Sequence, residues 1–134
     1  MIAATTTRLA RHLLLVVGAG DVGAGLALAC VPASALGLAG LAAPNAEATV
    51  YLRWVGIFAA AVGGLYLRGA LGPAARLREV LGATLIFRSV VGAYATFAVL
   101  RGWLAPVWSG VAIANLGLVA AQLVFLAKGA GRDG

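Results

Sequence analysis

Asp21 stands in the middle of Leu13–Cys30, an apolar run long enough to cross a bilayer. An ionised side chain at the centre of a spanning helix costs about 2.5 to 3.5 kcal/mol on insertion scales, so a carboxylate there calls for a partner. Arg88 matches it in sign and in depth. Asp21 lies nine residues beyond His12, and Arg88 lies nine beyond Glu79. At 1.5 Å per residue both stand roughly 13 to 14 Å above the same membrane edge. Counted back from Lys128, Gln122 falls about 9 Å and Asn115 about 20 Å from that edge, below and above the pair. Thr84, Tyr94 and Thr96 would join this column if they face inward. Asp21, Thr84, Arg88, Asn115 and Gln122 are thus the candidate polar column, and two uses of it stay open. A buried ion pair can simply fix the register of packed helices. Alternatively the group is functional, with Asp21 as a base or nucleophile oriented by Arg88 and Asn115, the three candidate catalytic residues.

Other chemistries are poorly supplied. Gly18-Ala-Gly-Asp-Val-Gly23 has the form of a dinucleotide-binding fingerprint, but no acidic residue follows before Glu47 and no second strand-like run completes a βαβ unit. One cysteine, Cys30, leaves no internal disulfide and no cysteine-based metal cluster, and is read as a small buried apolar residue. One histidine, His12, excludes a bis-histidine haem within a single copy. No Ser-His-Asp, Cys-His or paired-carboxylate set can be assembled in the apolar runs. No cofactor and no metal site is identified.

The elements that would position the column follow from composition. The chain has 134 residues, 63% of them hydrophobic and 10% charged, with a mean hydropathy of +1.02. A soluble domain carries about 25% charged residues, so a water-facing surface cannot be built from this chain. One all-α domain is expected, a polytopic four-transmembrane-helix bundle in the cell membrane, the cytoplasmic membrane if the source is bacterial. The net charge of +6 does not point to nucleic acid, because the basic residues sit at the ends of apolar runs, where anionic headgroups are the partner.

Met1–His12 reads as a short polar leader. Ala33-Ser-Ala35 has the form of a signal-peptide cleavage site, but the apolar run before it is longer than such a segment and carries an acid, so an uncleaved span is expected. The spans are placed at 13–31, 50–67, 80–100 and 107–127. Pro32 should break the first, because it lacks a backbone donor and clashes with the carbonyl four residues back. An interfacial segment is expected over 34–43, an exposed turn at Pro44–Glu47, and a polar tail from Lys128 to Gly134. Small residues let membrane helices approach closely, and Gly18 and Gly25 in the first span, with Gly56, Ala60 and Gly64 in the second, mark the packing faces.

Orientation follows from charge, since cytoplasmic loops collect Lys and Arg. Arg8, Arg11, Arg68, Arg76, Arg78, Lys128 and Arg132 fall on one side, against Arg53 and Arg101 on the other. Both termini are therefore expected in the cytoplasm. Trp54, Trp103 and Trp108 gather at the opposite ends of the spans, as an aromatic belt would. Arg53 and Arg68 read as snorkelling anchors at the interface.

The span order, the Gly-rich first span ending at a proline, and Tyr51-Leu-Arg-Trp-Val-Gly-Ile-Phe-Ala-Ala-Ala-Val-Gly-Gly-Leu-Tyr-Leu67 resemble the small four-helix membrane proteins grouped around DoxX. The resemblance covers nearly the whole chain. It implies a four-helix membrane fold and an accessory role beside redox systems, and it brings no catalytic residues with it. Three functions are ranked on this basis. First is a non-catalytic accessory or assembly subunit, second a small transporter or proton-path protein using Asp21 and Arg88, and third a compact enzyme on a lipid-soluble substrate. The expected partners are membrane lipid, a second copy or another membrane protein, and a lipid-soluble small molecule.

Overall fold

The computed structural model describes residues 2–132, with side chains from Ala4 onward. Met1 of the expected leader, and Asp133 and Gly134 of the expected tail, lie outside them. Among the described residues the chain is helices joined by turns and short irregular connectors, with no strand. The elements are α1 (Ile2–Cys30), α2 (Pro32–Leu38), α3 (Ala46–Leu71), α4 (Ala74–Leu100), a 3-10 turn (Pro106–Trp108) and α5 (Ser109–Ala127). Four stretches are long and apolar enough to cross a membrane: Ala4–Cys30, Ala46–Leu71, Ala74–Leu100 and Pro106–Ala127. Each leaves large apolar side chains uncovered, such as Val16, Phe58, Ile86 and Ile113. A water-soluble chain would bury such residues, and lipid is the solvent that suits them.

Local chemistry sets the ends of these helices. Pro32 stops α1, but it also begins the next helix. The residue before a proline is pushed out of the helical region, and Val31 has φ −134° and ψ 58°. The missing N–H of Pro32 is no loss at the first helical position, where that donor has no intrahelical partner anyway. A short helix therefore runs from Pro32 to Leu38, and turn and irregular chain follow over 39–45, within and just beyond the segment expected at 34–43. Asn45 caps α3, its Oδ1 accepting from the Ala48 N–H at 2.8 Å. At the end of α4, Gly102 takes φ 71°, the Gly102 N–H donates to Val99 O and the Trp103 N–H donates to Ala98 O. That left-handed cap satisfies the last carbonyls of the helix and holds the chain where it leaves the span. The leader is the other difference from expectation. Residues 2–12 continue α1, because Ala3-Ala4 and Arg8-Leu9-Ala10-Arg11 are good helix formers and Thr6, Ala10 and Leu14 share one buried stripe.

The chain divides into two compact units, one formed by Met1–Arg11 with Gly72–Gly134 and the other by His12–Leu71. In the His12–Leu71 unit, α1 and α3 pack antiparallel through glycine. A methyl group built on Gly25 would lie 2.5 Å from both Gly56 O and Ala60 N, and one on Gly56 would lie 2.5 Å from Gly25 O. One heptad along, a methyl on Gly63 would meet Gly18 O and Val22 N at 2.7 Å. These neighbours are backbone atoms and cannot rotate away. Gly18, Gly25, Gly56 and Ala60 thus form the expected faces, but Gly64 does not join them: it is exposed, with nothing near its missing side chain. Helix geometry gives the reason. At 3.6 residues per turn, position i+8 has drifted about 80° from Gly56, whereas i+7 is only about 20° away, so Gly63 takes the place.

In the other unit, α4 and α5 pack antiparallel, and the first turns of α1 meet the connector before α4 and the residues after α5. Arg11 donates to Gly72 O at 2.7 Å, Arg78 donates to Ala130 O at 3.3 Å, and the Gly131 N–H donates to Thr7 Oγ1 at 3.1 Å. Two of the arginines counted for orientation are thus also bound to backbone carbonyls.

Candidate functional site

The buried face of α4 is Leu77, Leu81, Thr84, Arg88, Gly92, Ala95 and Ala98, spaced three or four apart as a helix seam requires. The buried positions of α5 are Ala112, Asn115 and Gln122. Four polar side chains therefore lie on a seam that is otherwise apolar, and each must find a partner inside it.

They do so by a repeated device. Thr84 donates its hydroxyl to Val80 O one turn back at 2.6 Å, and its Oγ1 accepts from Gln122 Nε2 of α5 at 2.9 Å. Asn115 donates its Nδ2 to Val111 O one turn back at 2.8 Å, and its Oδ1 accepts from Arg88 Nη1 of α4 at 3.0 Å. In both cases a short polar side chain is anchored to its own helix and presents an oxygen to a long donor from the facing helix. Each helix supplies one receiver and one donor. The receivers are held by their back-bonds, so little side-chain freedom is lost when the interhelix bond forms. Gly92 makes the approach possible, because a methyl there would lie 2.8 Å from Leu116 Cδ2 and 3.3 Å from Asn115 Cβ. No sequence signal for helix packing had singled out this glycine, though it stands one turn from Arg88.

Of the expected column, Thr84, Arg88, Asn115 and Gln122 come together on this seam. Tyr94 does not, being exposed, and Thr96 is half-buried with its hydroxyl donated to Gly92 O at 2.8 Å. Asp21 belongs to the His12–Leu71 unit and is described within it. It is half-buried on α1, and a methyl on Gly63 would lie 2.9 Å from its Cβ. Gly63 therefore leaves room for the first carbon of the Asp21 side chain as well as for the backbone of α1. This second role was legible in the heptad step from Gly56 to Gly63, not in the run of four that leads to Gly64.

Chemically, the seam offers one permanent positive charge, two amides and a hydroxyl. Hydrogen bonds to a charged group contribute about 1.5 to 3 kcal/mol, roughly twice a neutral one, so Arg88 with Asn115 is the strong rung and Gln122 with Thr84 the weak one. Among the described residues no group of three His, Cys, Asp or Glu side chains gathers as a metal site. Cys30, expected to be buried, is exposed at the end of α1, because it is the last helical residue before the break at Val31. Arg53 and Arg68 are exposed. No protein-family model, no curated protein and no solved structure matches this chain.

Proposed function

We propose that this chain is a small integral membrane protein acting as a non-catalytic accessory or assembly subunit, its working contacts made through partners and lipid. One observation carries the reading: Arg88 donates to Asn115 and Gln122 donates to Thr84 across the α4–α5 seam, so polar side chains of both helices bind them to each other. Both receivers are locked by bonds to their own helices, an arrangement that suits a fixed scaffold better than a site whose groups must exchange protons or turn towards a substrate. The likeness of Tyr51–Leu67 to DoxX-type proteins supports an accessory role beside a redox system. The test is to extract the protein from its native membranes in polymer-bounded lipid discs and identify what accompanies it. A polypeptide at fixed stoichiometry is expected. Recovery of the chain with a lipid-soluble small molecule and no polypeptide would refute the reading.

A transporter or proton path is the second reading, favoured by one feature, the half-buried Asp21 in the middle of an apolar helix. Proton-coupled uptake into vesicles that disappears in Asp21→Asn would establish it in place of the first.

We infer that both termini face the cytoplasm, a reading supported by the seven-to-two division of basic residues between the two sides. Reporter fusions after Gly134 and at Glu47 are expected on opposite sides of the membrane. If the two report from the same side, the span count fails.

A further inference from the structure

The connector between α4 and α5 holds a cation that pairs with no carboxylate among the described residues. Arg101 is exposed at the end of α4, its Cζ lying 5.7 Å from the centre of the Phe97 ring and 5.8 Å from that of Trp103. The two rings pack edge to face, 5.2 Å apart at 87°. Among the described residues neither the guanidinium nor the Trp103 indole N–H has a hydrogen-bond acceptor, and no carboxylate pairs with Arg101. The left-handed cap at Gly102 fixes the backbone between the two side chains. The ring faces attract the cation and limit its motion without using its N–H donors. Since Ala74–Leu100 and Pro106–Ala127 both qualify as spans, the connector falls at a membrane boundary, in the layer where lipid phosphates lie.

We infer that Arg101, held by Phe97 and Trp103, binds a phosphate oxyanion at this boundary, with the guanidinium fork on the phosphate oxygens and the indole N–H as a second donor. The inference rests on α4 and α5 being membrane spans and is independent of the accessory role. A guanidinium presents paired N–H groups that match two phosphate oxygens, which a lysine cannot do. Ordering the cation before the ligand arrives lowers the entropy cost of binding. A phospholipid headgroup and a free phosphate offer the same oxyanion.

The test uses the full chain in a neutral detergent, with Trp54→Phe and Trp108→Phe leaving Trp103 as the only indole. Phosphatidylglycerol, diacylglycerol and inorganic phosphate are titrated separately while Trp103 emission is read. Phosphatidylglycerol is expected to give a saturable change and diacylglycerol none. Arg101→Gln should weaken the phosphatidylglycerol response about ten-fold or more with helical content unchanged. Arg53→Gln removes the same charge elsewhere and should leave the response as it was. Saturation by phosphatidylglycerol alone assigns the site to a lipid headgroup, and equal saturation by inorganic phosphate assigns it to a free anion. An Arg101→Gln titration that overlays the parent, a response to diacylglycerol equal to that for phosphatidylglycerol, or an equal loss in Arg53→Gln would each overturn the inference.

Discussion

Gly25→Leu is expected to destabilise the protein by about 3 kcal/mol or more, at the upper end of what overpacking costs, because the added side chain meets backbone. A single methyl at Gly25 already falls 2.5 Å from Gly56 O and Ala60 N, and no rotamer of a neighbour can relieve that. Helices α1 and α3 must then move apart, losing the close contacts that drive association where lipid removes the hydrophobic difference between partner and solvent. Gly64→Leu is the matched control. It sits on the facing helix α3, in open space, and replaces a poor helix former with a good one, so its effect should stay within about 0.5 to 1 kcal/mol and can be stabilising. Thermal unfolding in detergent, followed by helical circular dichroism, compares the two. Equal effects from Gly25→Leu and Gly64→Leu would remove the glycine seam from the account.

Asn115→Leu should cost about 1.5 to 3 kcal/mol, and more than Gln122→Leu. Each substitution deletes the α4–α5 hydrogen bond described above and keeps a side chain of similar size. They differ in what is left behind. Asn115→Leu removes an acceptor from a buried guanidinium, whereas Gln122→Leu leaves Thr84 still bonded to Val80 O. Neutral interhelix hydrogen bonds in membranes average about 0.6 kcal/mol, so the Gln122 effect should lie near that value. Unfolding of the two variants in the same detergent gives the ordering directly. A Gln122→Leu loss as large as that of Asn115→Leu would mean that the charge on Arg88 is not what makes its rung strong.

Much of this arrangement could be read from residue order, because a bilayer restricts the answer. The four helices long and apolar enough to cross a membrane follow from apolar run length, and the break of α1 follows from Pro32. Depth counting at 1.5 Å per residue put Thr84, Arg88, Asn115 and Gln122 on neighbouring levels, and they do meet across the α4–α5 seam. Depth says nothing about azimuth, however. Tyr94 lies six residues beyond Arg88, about 120° short of full turns, and so faces away. Gly64 failed for the same reason, since a run of i, i+4, i+8 drifts round the helix while a packed seam repeats every seven residues. Gly92 was passed over because an isolated glycine carries no spacing signal. Its value depends on Asn115 and Leu116, which are distant in the chain. The pairing of Arg88 with Asn115 was equally out of reach, as it needs the rotation of both helices to be known.

The claim at the centre of this account is that the α4–α5 polar seam holds helices and that function is exercised through a partner. Its most direct measurement compares the parent with the double variant Thr84→Val/Gln122→Leu, both extracted from native membranes in lipid discs, with accompanying polypeptides quantified against folded chain. Replacing both members of a hydrogen-bonded pair by apolar groups of similar shape can be nearly neutral, so the folded yield should stay within about two-fold. The account predicts the same polypeptide at the same stoichiometry from both. A double variant that folds like the parent but emerges without that polypeptide would contradict it and place the seam within the functional site itself.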